Sequence, residues 1–537
     1  MPVLFAYKRG EFMTTIEYLS LPLYKRVWFK TLATLVSIPK GIGRFFSKVV
    51  PSIFKKIGKS IANFFLNIYH NFVDGDWKTR VSYFVMGFGQ ITRGSRIRGI
   101  FNLLFQIVFT AFMVLFGVKA ILSVPTFGSV AQTEYLYPVL DEFGEIETYT
   151  VEYLYGDNSF TTLLIAIFGV VLTGIAVSIW YGQINESIEL QNAGRIGRKH
   201  DERQIIKDFV GKNYHKVLLG WPTVGLVVFT IVPLIFMVLV AFTNYSSFYD
   251  NPRYLFDWVG VYNFEQLLGV TEGGSSSQFG AVFGKILIWT LIWAFFATFT
   301  NYFLGMVVAM LINKKDIKFK KLWRTCLITT IAVPSFITLM FMNKSLGSHD
   351  GTVNEILKML HIIEEGNEIK FLEDQLTAKI TIIVVNIWIG IPYTMLMCSG
   401  ILMNIPADLY ESAKIDGASP FKMYMKITLP YMLFVTGPYL ISNFVGNINN
   451  FNVIYLLSGG GPQITEINGV VADPNQLYNA GHTDLLITWL YKMCMEKDDK
   501  NYALASVIGI FIFIVLASIS LVIYGRSSAV KNEGDFQ

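Results

Sequence analysis

Ile405-Pro406-Ala407-Asp408-Leu409-Tyr410-Glu411-Ser412-Ala413-Lys414-Ile415-Asp416-Gly417-Ala418-Ser419-Pro420-Phe421-Lys422-Met423-Tyr424-Met425-Lys426-Ile427-Thr428-Leu429-Pro430 is a polar, helix-prone segment set between two long apolar runs. Hydrocarbon does not tolerate its charges. The spacing predicts a helix from Pro406 to Ile415, a turn at Asp416-Gly417-Ala418 and a second helix closed by Leu429-Pro430. A compact knob of this kind is what a bilayer protein needs if something outside the bilayer is to push on it.

The flanks set the class. The 537-residue chain is 53% hydrophobic and 15% charged, with a mean hydropathy of +0.46. Soluble domains carry roughly 25% charged residues, so this composition belongs in a bilayer. A span takes about 20 apolar residues, and about eight stretches qualify: 101–123, 161–183, 217–243, 285–312, 325–343, 378–403, 431–450 and 502–525. The expected fold is therefore all-α and polytopic, with the fifth span interrupted by Pro334. The N-terminus lacks the compact apolar run and small-residue site of a cleavable signal peptide.

Charge orients the spans. Lys40, Arg44, Lys48, Lys55, Lys56, Lys59, Lys78, Arg80, Arg93, Arg96 and Arg98 precede the first one. The next loop has no Lys or Arg but carries Glu134, Asp141, Glu142, Glu145, Glu147, Glu152 and Asp157. Arg195, Arg198, Lys199 and Arg203 then turn the chain basic again, as do Lys314-Lys315 through Arg324, whereas 344–377 is acidic. By the positive-inside rule this alternation implies a multi-pass cell-membrane protein with both termini, and segment 405–430, in the cytoplasm.

Four regions follow: a basic amphipathic region at 1–97, two spans with their loops at 98–216, a six-span core at 217–527 and a tail at 528–537. In the first, Ile42, Phe45, Val49, Ile53, Ile57, Ile61, Phe64 and Ile68 recur at helical spacing with lysines between them. Such a helix, bent or split at Pro51, lies either in the membrane interface among lipid or against the protein's own spans.

Catalytic patterns are missing. Gly58-Lys59-Ser60 has Ile53 where a phosphate loop needs its first glycine. The six histidines and three cysteines show no metal or nucleophile spacing, and there is no Gly-x-Ser-x-Gly elbow. The chain is not expected to be an enzyme or to hold a metal or cofactor, and no nucleic-acid partner is expected. Any energy source for transport lies on another chain.

Glu411-x-Ala413-x-x-Asp416-Gly417-Ala418, followed after eight residues by Ile427-x-Leu429-Pro430, closely resembles the cytoplasmic EAA signature of ABC importer permeases. Glu411 offers a charge, Ala413 and Ala418 allow close helix approach, and Gly417 permits the turn. The resemblance continues in Ala241-Phe242-Thr243-Asn244-Tyr245 and Trp258-Val259-Gly260-Val261-Tyr262-Asn263-Phe264. Asn386-x-Trp388-x-Gly390-x-Pro392-Tyr393, Asn449-Asn450-Phe451, Leu456-Leu457-Ser458-Gly459-Gly460-Gly461-Pro462 and His482-Thr483-Asp484-Leu485-Leu486 look like the MalF-type subunit of maltose importers. The similarity covers roughly 217–525. It implies a second permease subunit of MalG type, a pair of ATPase subunits docked on the EAA loop, an extracellular sugar-binding protein and a malto-oligosaccharide substrate.

Two spans gather polar groups on single faces. Asn386, Gly390 and Tyr393 sit at i, i+4 and i+7, as do Asn443, Asn447 and Asn450, with Gly446 beside them. Intramembrane amides face a partner or a water-filled path, so they either join helices or line a sugar route. The MalF resemblance places Asn386, Gly390, Tyr393, Asn447 and Asn450 at sugar positions. Ile389, Asn443 and Gly446 occupy the same faces but depart from the maltose-permease pattern, in which the last is aromatic. The loss of that ring points away from maltose itself and leaves an oligosaccharide as the expected substrate.

In the maltose-permease pattern the loop after the third span is a substantial external domain that grips the binding protein, whereas here 244–284 is short, with Gly273-Gly274-Ser275-Ser276-Ser277 at its tip. A binding protein tethered as a lipoprotein at high effective concentration, docking on 344–377 and 451–500, would need no such domain. Glu411→Lys or Gly417→Asp should leave the chain in the membrane yet abolish ATPase co-purification and uptake. Normal transport by both variants would refute the docking role of 405–430.

Overall fold

A computed structural model describes Tyr7-Lys8, Glu11-Phe12 and residues 50–524, apart from 132, 141–142, 155, 197–210, 212–213, 251–253, 271–273, 315–316 and 497. The expected helix positions 42–49, Arg198, Lys199 and Arg203, and the 528–537 tail lie outside the described residues.

Apolar composition and length make long helices. Six of them among the described residues could cross a membrane: Arg96–Ser123, Ser159–Arg195, Leu218–Val240, Gln278–Asn313, Gln375–Leu402 and Tyr502–Leu521. The other two expected spans differ in kind. The fifth is a pair of helices, Lys320–Ala332 and Ser335–Ser345, bent by 88°. Pro334 removes a backbone donor and drives Val333 into extended geometry (φ −78°, ψ 123°), so the helix breaks there. The seventh, Leu429–Ile448, is one helix of 20 residues. It is long enough to span, but Pro430, Pro438, Asn443 and Asn447 dilute its apolarity. One non-helical element joins this helical plan. In the acidic first loop, Thr133–Leu140 pairs antiparallel with Ile146–Leu154, and the register shifts at Val139/Leu140. The Tyr, Thr and Val content of both segments favours strands.

The chain divides into two compact units, residues 1–115 with 170–222 and residues 116–169 with 223–537. In the first, Val50–Asp74 is one helix. The Phe64 and Tyr181 rings meet at a tilt with centroids 4.8 Å apart, Asn67 donates to the Tyr181 hydroxyl at 3.2 Å and Asn71 donates to Asn185 at 2.7 Å. One stripe thus packs on the chain's own long helix, while Ile61, Phe65, Leu66, Tyr69 and Val73 remain exposed. Nearby, Arg93 joins Asp76, Thr79 and Ser187. Burial alone would raise the Asp76 carboxyl, but the Thr79 N–H and Arg93 outweigh it and hold the group below its usual range.

The second unit is organised by the helix Gly274–Asn313. Toward its N-terminal end, Phe279, Val282, Phe283 and Ile286 pack with Trp489, Leu504 and Ile508. In the middle, Trp289, Trp293 and Ala297 meet Ile382, Val385 and Ile454. Toward the other end, Tyr302, Met306 and Ala309 meet Met395, Cys398 and Met432. Beyond the spans, residues 459–492 are fixed by a buried ion pair, Lys492 Nζ to Asp484 at 2.7 Å. Asp484 is fully buried and also accepts from the Gly481 N–H at 2.7 Å and the Thr488 hydroxyl at 2.8 Å. Burial pushes the Asp484 carboxyl upward, with Lys492 opposing it. Removing one member of a buried pair strands the other charge. Asp484→Ala should therefore destabilise the purified protein by about 3–5 kcal/mol in thermal unfolding, and Asp484→Leu with Lys492→Met by much less.

Candidate functional site

The polar knob forms as its sequence dictates up to Ser419. Ala407–Ile415 is helical and ends in a Schellman closure: the Gly417 N–H reaches the Lys414 carbonyl at 3.0 Å and the Ala418 N–H reaches Ala413 at 2.9 Å. Gly417 has φ +72°, a conformation open to glycine at little expense. Ser419 then caps Pro420–Met423 by accepting from the Lys422 N–H at 3.3 Å. Glu411, Asp416 and Gly417 are exposed, while Ala413 and Ala418 are half-buried.

One expectation is corrected. Leu429-Pro430 does not close a separate second helix. The chain winds from Pro420–Met423 through a wider turn at Tyr424–Thr428 directly into Leu429–Ile448. Pro430 supplies no N–H to the carbonyl four residues back, and the turn widens instead of breaking. Ile427 is half-buried, Leu429 packs on the Tyr302–Met306 cluster, and Pro430 is exposed. Tyr410 ties the knob to this helix through a 2.8 Å hydrogen bond with the Thr428 hydroxyl. Sequence reading did not single out Ile415 (87% exposed) or Phe421 (72% exposed), two apolar side chains offered outward from a polar loop. They are anchors of the kind a docking partner covers.

The far end of Leu429–Ile448 carries the asparagines. Asn447 is buried and donates to the Thr298 hydroxyl at 2.9 Å and to Asn443 at 3.4 Å, and Asn450 donates to Asn447 at 3.2 Å. Asn450 also caps Phe451–Ser458 by accepting from the Val453 N–H. The Trp293 indole donates to the Asn447 carbonyl at 3.1 Å. Asn443 is half-buried, and Gly446 is exposed, with open space where a Cβ would stand.

On Gln375–Leu402, Asn386 is buried with its Nδ2 unpartnered, Ile389 packs into the Trp289–Ile382 cluster, and Tyr393 is 57% exposed. Gly390 lies so close to Asn301 that a Cβ would sit 2.3 Å from Nδ2. Asn301 is itself buried, with an unpartnered Oδ1. Asn447 and Asn450 are thus hydrogen-bonded within the bundle and Gly390 packs on Asn301, while Tyr393 and Gly446 are exposed. Thr298 and Asn301 were missed by sequence reading. The intramembrane-amide rule, extended to the fourth span, would have found Asn301.

The described residues thus form a helical protein with several candidate membrane spans, a polar helical knob and buried amides within the spans. Comparison with known proteins makes this specific. Residues 301–529 match the family described as binding-protein-dependent transport system inner membrane component. The galactooligosaccharides transport system permease GanP of Bacillus subtilis is 32% identical over 70% of this chain and 85% of its own length. The maltodextrin permease MdxF of the same organism is 29% identical over 87% of this chain and 99% of its own. A bacterial ABC transporter that imports alginate aligns at TM-score 0.44 and 19% identity, over 61% of this chain and 99% of that one. The chain belongs to the family of ABC importer permease subunits for sugars, the non-catalytic membrane-spanning components of these systems.

Gly390→Ala should destabilise the protein by about 1–3 kcal/mol through overpacking, with recovery in Gly390→Ala/Asn301→Ala. Gly446→Ala should leave the melting temperature unchanged. Equal losses in both single variants would contradict the close approach at Gly390.

Proposed function

We propose that this chain forms half of the translocation pore of an importer for malto-oligosaccharides. A MalG-type permease supplies the other half, an ATPase dimer docks on 405–430, and an extracellular binding protein, tethered as a lipoprotein, delivers the sugar. Both termini lie in the cytoplasm. One observation carries this reading: the winding from Pro420 to Ile448 is continuous, so the helix that leaves the knob ends in Asn443 and Asn447, with Asn450 two residues beyond it. Force applied at Glu411, Asp416 and Gly417 by ATPase closure reaches the amide face through one element, held to the knob by Tyr410 and Thr428.

In this reading Tyr393 and the open space at Gly446 face the sugar path, and Asn443 supplies an amide to hydroxyl groups. Asn386, with its free donor, contributes from the neighbouring helix. The lack of a side chain at Gly446 leaves room for a chain of several glucose units. Ile389, Gly390, Asn447 and Asn450 set the wall behind them. The similarity to GanP favours a second reading, galacto-oligosaccharide import by the same machinery.

The test is reconstitution in proteoliposomes with the partner permease, ATPase and binding protein. ATP-dependent uptake of maltotriose and longer glucans, exceeding that of maltose and of galacto-oligosaccharides, is the expected result. Preferential uptake of galacto-oligosaccharides would select the second reading, and uptake driven by an ion gradient without ATP would overturn both.

A further inference from the structure

At the end of the spans opposite the 405–430 knob, a cavity of about 610 Å³ opens between Gly274–Asn313, the start of Gln375–Leu402 and the loop 459–484. Its walls carry Lys285 and Lys379 from the two helices and His482 from the loop, with Trp289 between them. No carboxylate among the described residues forms an ion pair with either lysine, although Glu466 lies on the rim. The Lys379 ammonium sits 4.9 Å from the Trp289 ring centre, so a π-face offsets part of its charge in place of an anion. Burial, with Lys379 and Lys285 adding to it, holds the His482 imidazole below its usual range. Lys379 is half-buried and Lys285 exposed, and two like charges lining one cavity favour an anion beside them.

The rim says where that anion comes from. Glu466-Ile467 and Val470-Val471 pair across the two-residue turn Asn468-Gly469, both at positive φ (+52° and +82°). This hairpin leaves Val470 56% and Val471 84% exposed beside the cationic cavity. An apolar flank next to a charged socket is the layout of a protein interface. The wall formed by Ile464, Thr465, Glu466, Asn468, Gly481 and His482 belongs to a loop outside the spans, which favours a protein carboxylate over a lipid headgroup.

We propose that this cavity receives an acidic side chain of the extracellular solute-binding protein, with Val470 and Val471 as the apolar flank of the contact. The proposal rests on the importer reading above. The assembled transporter in nanodiscs, titrated with its binding protein, tests it through stimulated ATP hydrolysis. Lys285→Glu and Lys379→Glu should each raise the half-saturating concentration of binding protein about tenfold at low salt, leaving unstimulated hydrolysis unchanged. The difference should shrink as salt rises. Lys379→Arg should retain near-normal docking, and an acidic-to-lysine substitution in the binding protein should rescue Lys379→Glu. If either reversal impairs assembly, Lys285→Gln and Lys379→Gln provide the same readout, with a shift of several-fold expected. Unchanged half-saturation in these variants would overturn the proposal, as would a shift that follows the anionic lipid content of the nanodisc. Failure of the binding protein to stimulate even the unaltered transporter would instead overturn the importer reading, and this proposal with it.

Discussion

The close approach of Gly274–Asn313 and Gln375–Leu402 is the contact on which the larger unit depends. It is built from glycine at two levels. A Cβ on Gly305 would meet Thr394 at 2.6 Å, and one on Gly390 would meet Asn301 at 2.3 Å. Lipid tails are as apolar as leucine, so helices in a bilayer gain little from hydrophobic burial against each other. They gain from dispersion and hydrogen bonds at short range, which small residues permit. Each helix supplies one glycine and receives one polar side chain, so the contact is reciprocal. It leaves the Asn301 Oδ1 and the Asn386 Nδ2 without partners inside the bundle. Such orphaned amides are unfavourable to keep.

Leu429–Ile448 joins this pair through Asn447 and Thr298, and through the hydroxyls of Tyr302 and Thr436 at 2.8 Å. It therefore has two duties at its two ends. The first end is continuous with a knob in water, and the second is hydrogen-bonded into the bundle. The prolines that keep its composition from reading as a plain span, Pro430 and Pro438, remove backbone donors without breaking it. The same residue type at Pro334 does break a helix, because Val333 takes extended geometry there. Proline position alone does not distinguish the two outcomes.

On the opposite side, order comes from charge. Asp484 and Lys492 are buried together, and Gly481 and Thr488 complete the carboxylate's hydrogen bonds. Gly460 has no room for a side chain, since a Cβ would meet the Asp484 Oδ1 at 1.9 Å. That pair sets the path of the loop carrying His482 and the Asn468-Gly469 hairpin. The cationic cavity is thus shaped by an ion pair that does not line it.

Much of this was legible in the sequence. Apolar length set six of the helices, and the Asp416-Gly417-Ala418 turn fell where glycine chemistry required it. The spacing of Asn443 and Asn447 identified a polar helix face, whereas Asn450 lies beyond the helix end and caps the next helix. What the sequence could not assign was the direction of each side chain. Asn447 is bonded to Thr298, Gly390 lies against Asn301, and Tyr393 and Gly446 are exposed. The hairpin at 133–154 and the convergence of Lys285, Lys379 and His482 were likewise hidden, since strand pairing and cavities join residues far apart in the chain. The sequence by itself determined class, span composition and the knob, because hydrocarbon thickness and local turn chemistry act on consecutive residues. Only the tertiary structure decided which amide atoms are partnered and which are not, because that depends on what lies across a helix interface a few ångströms away.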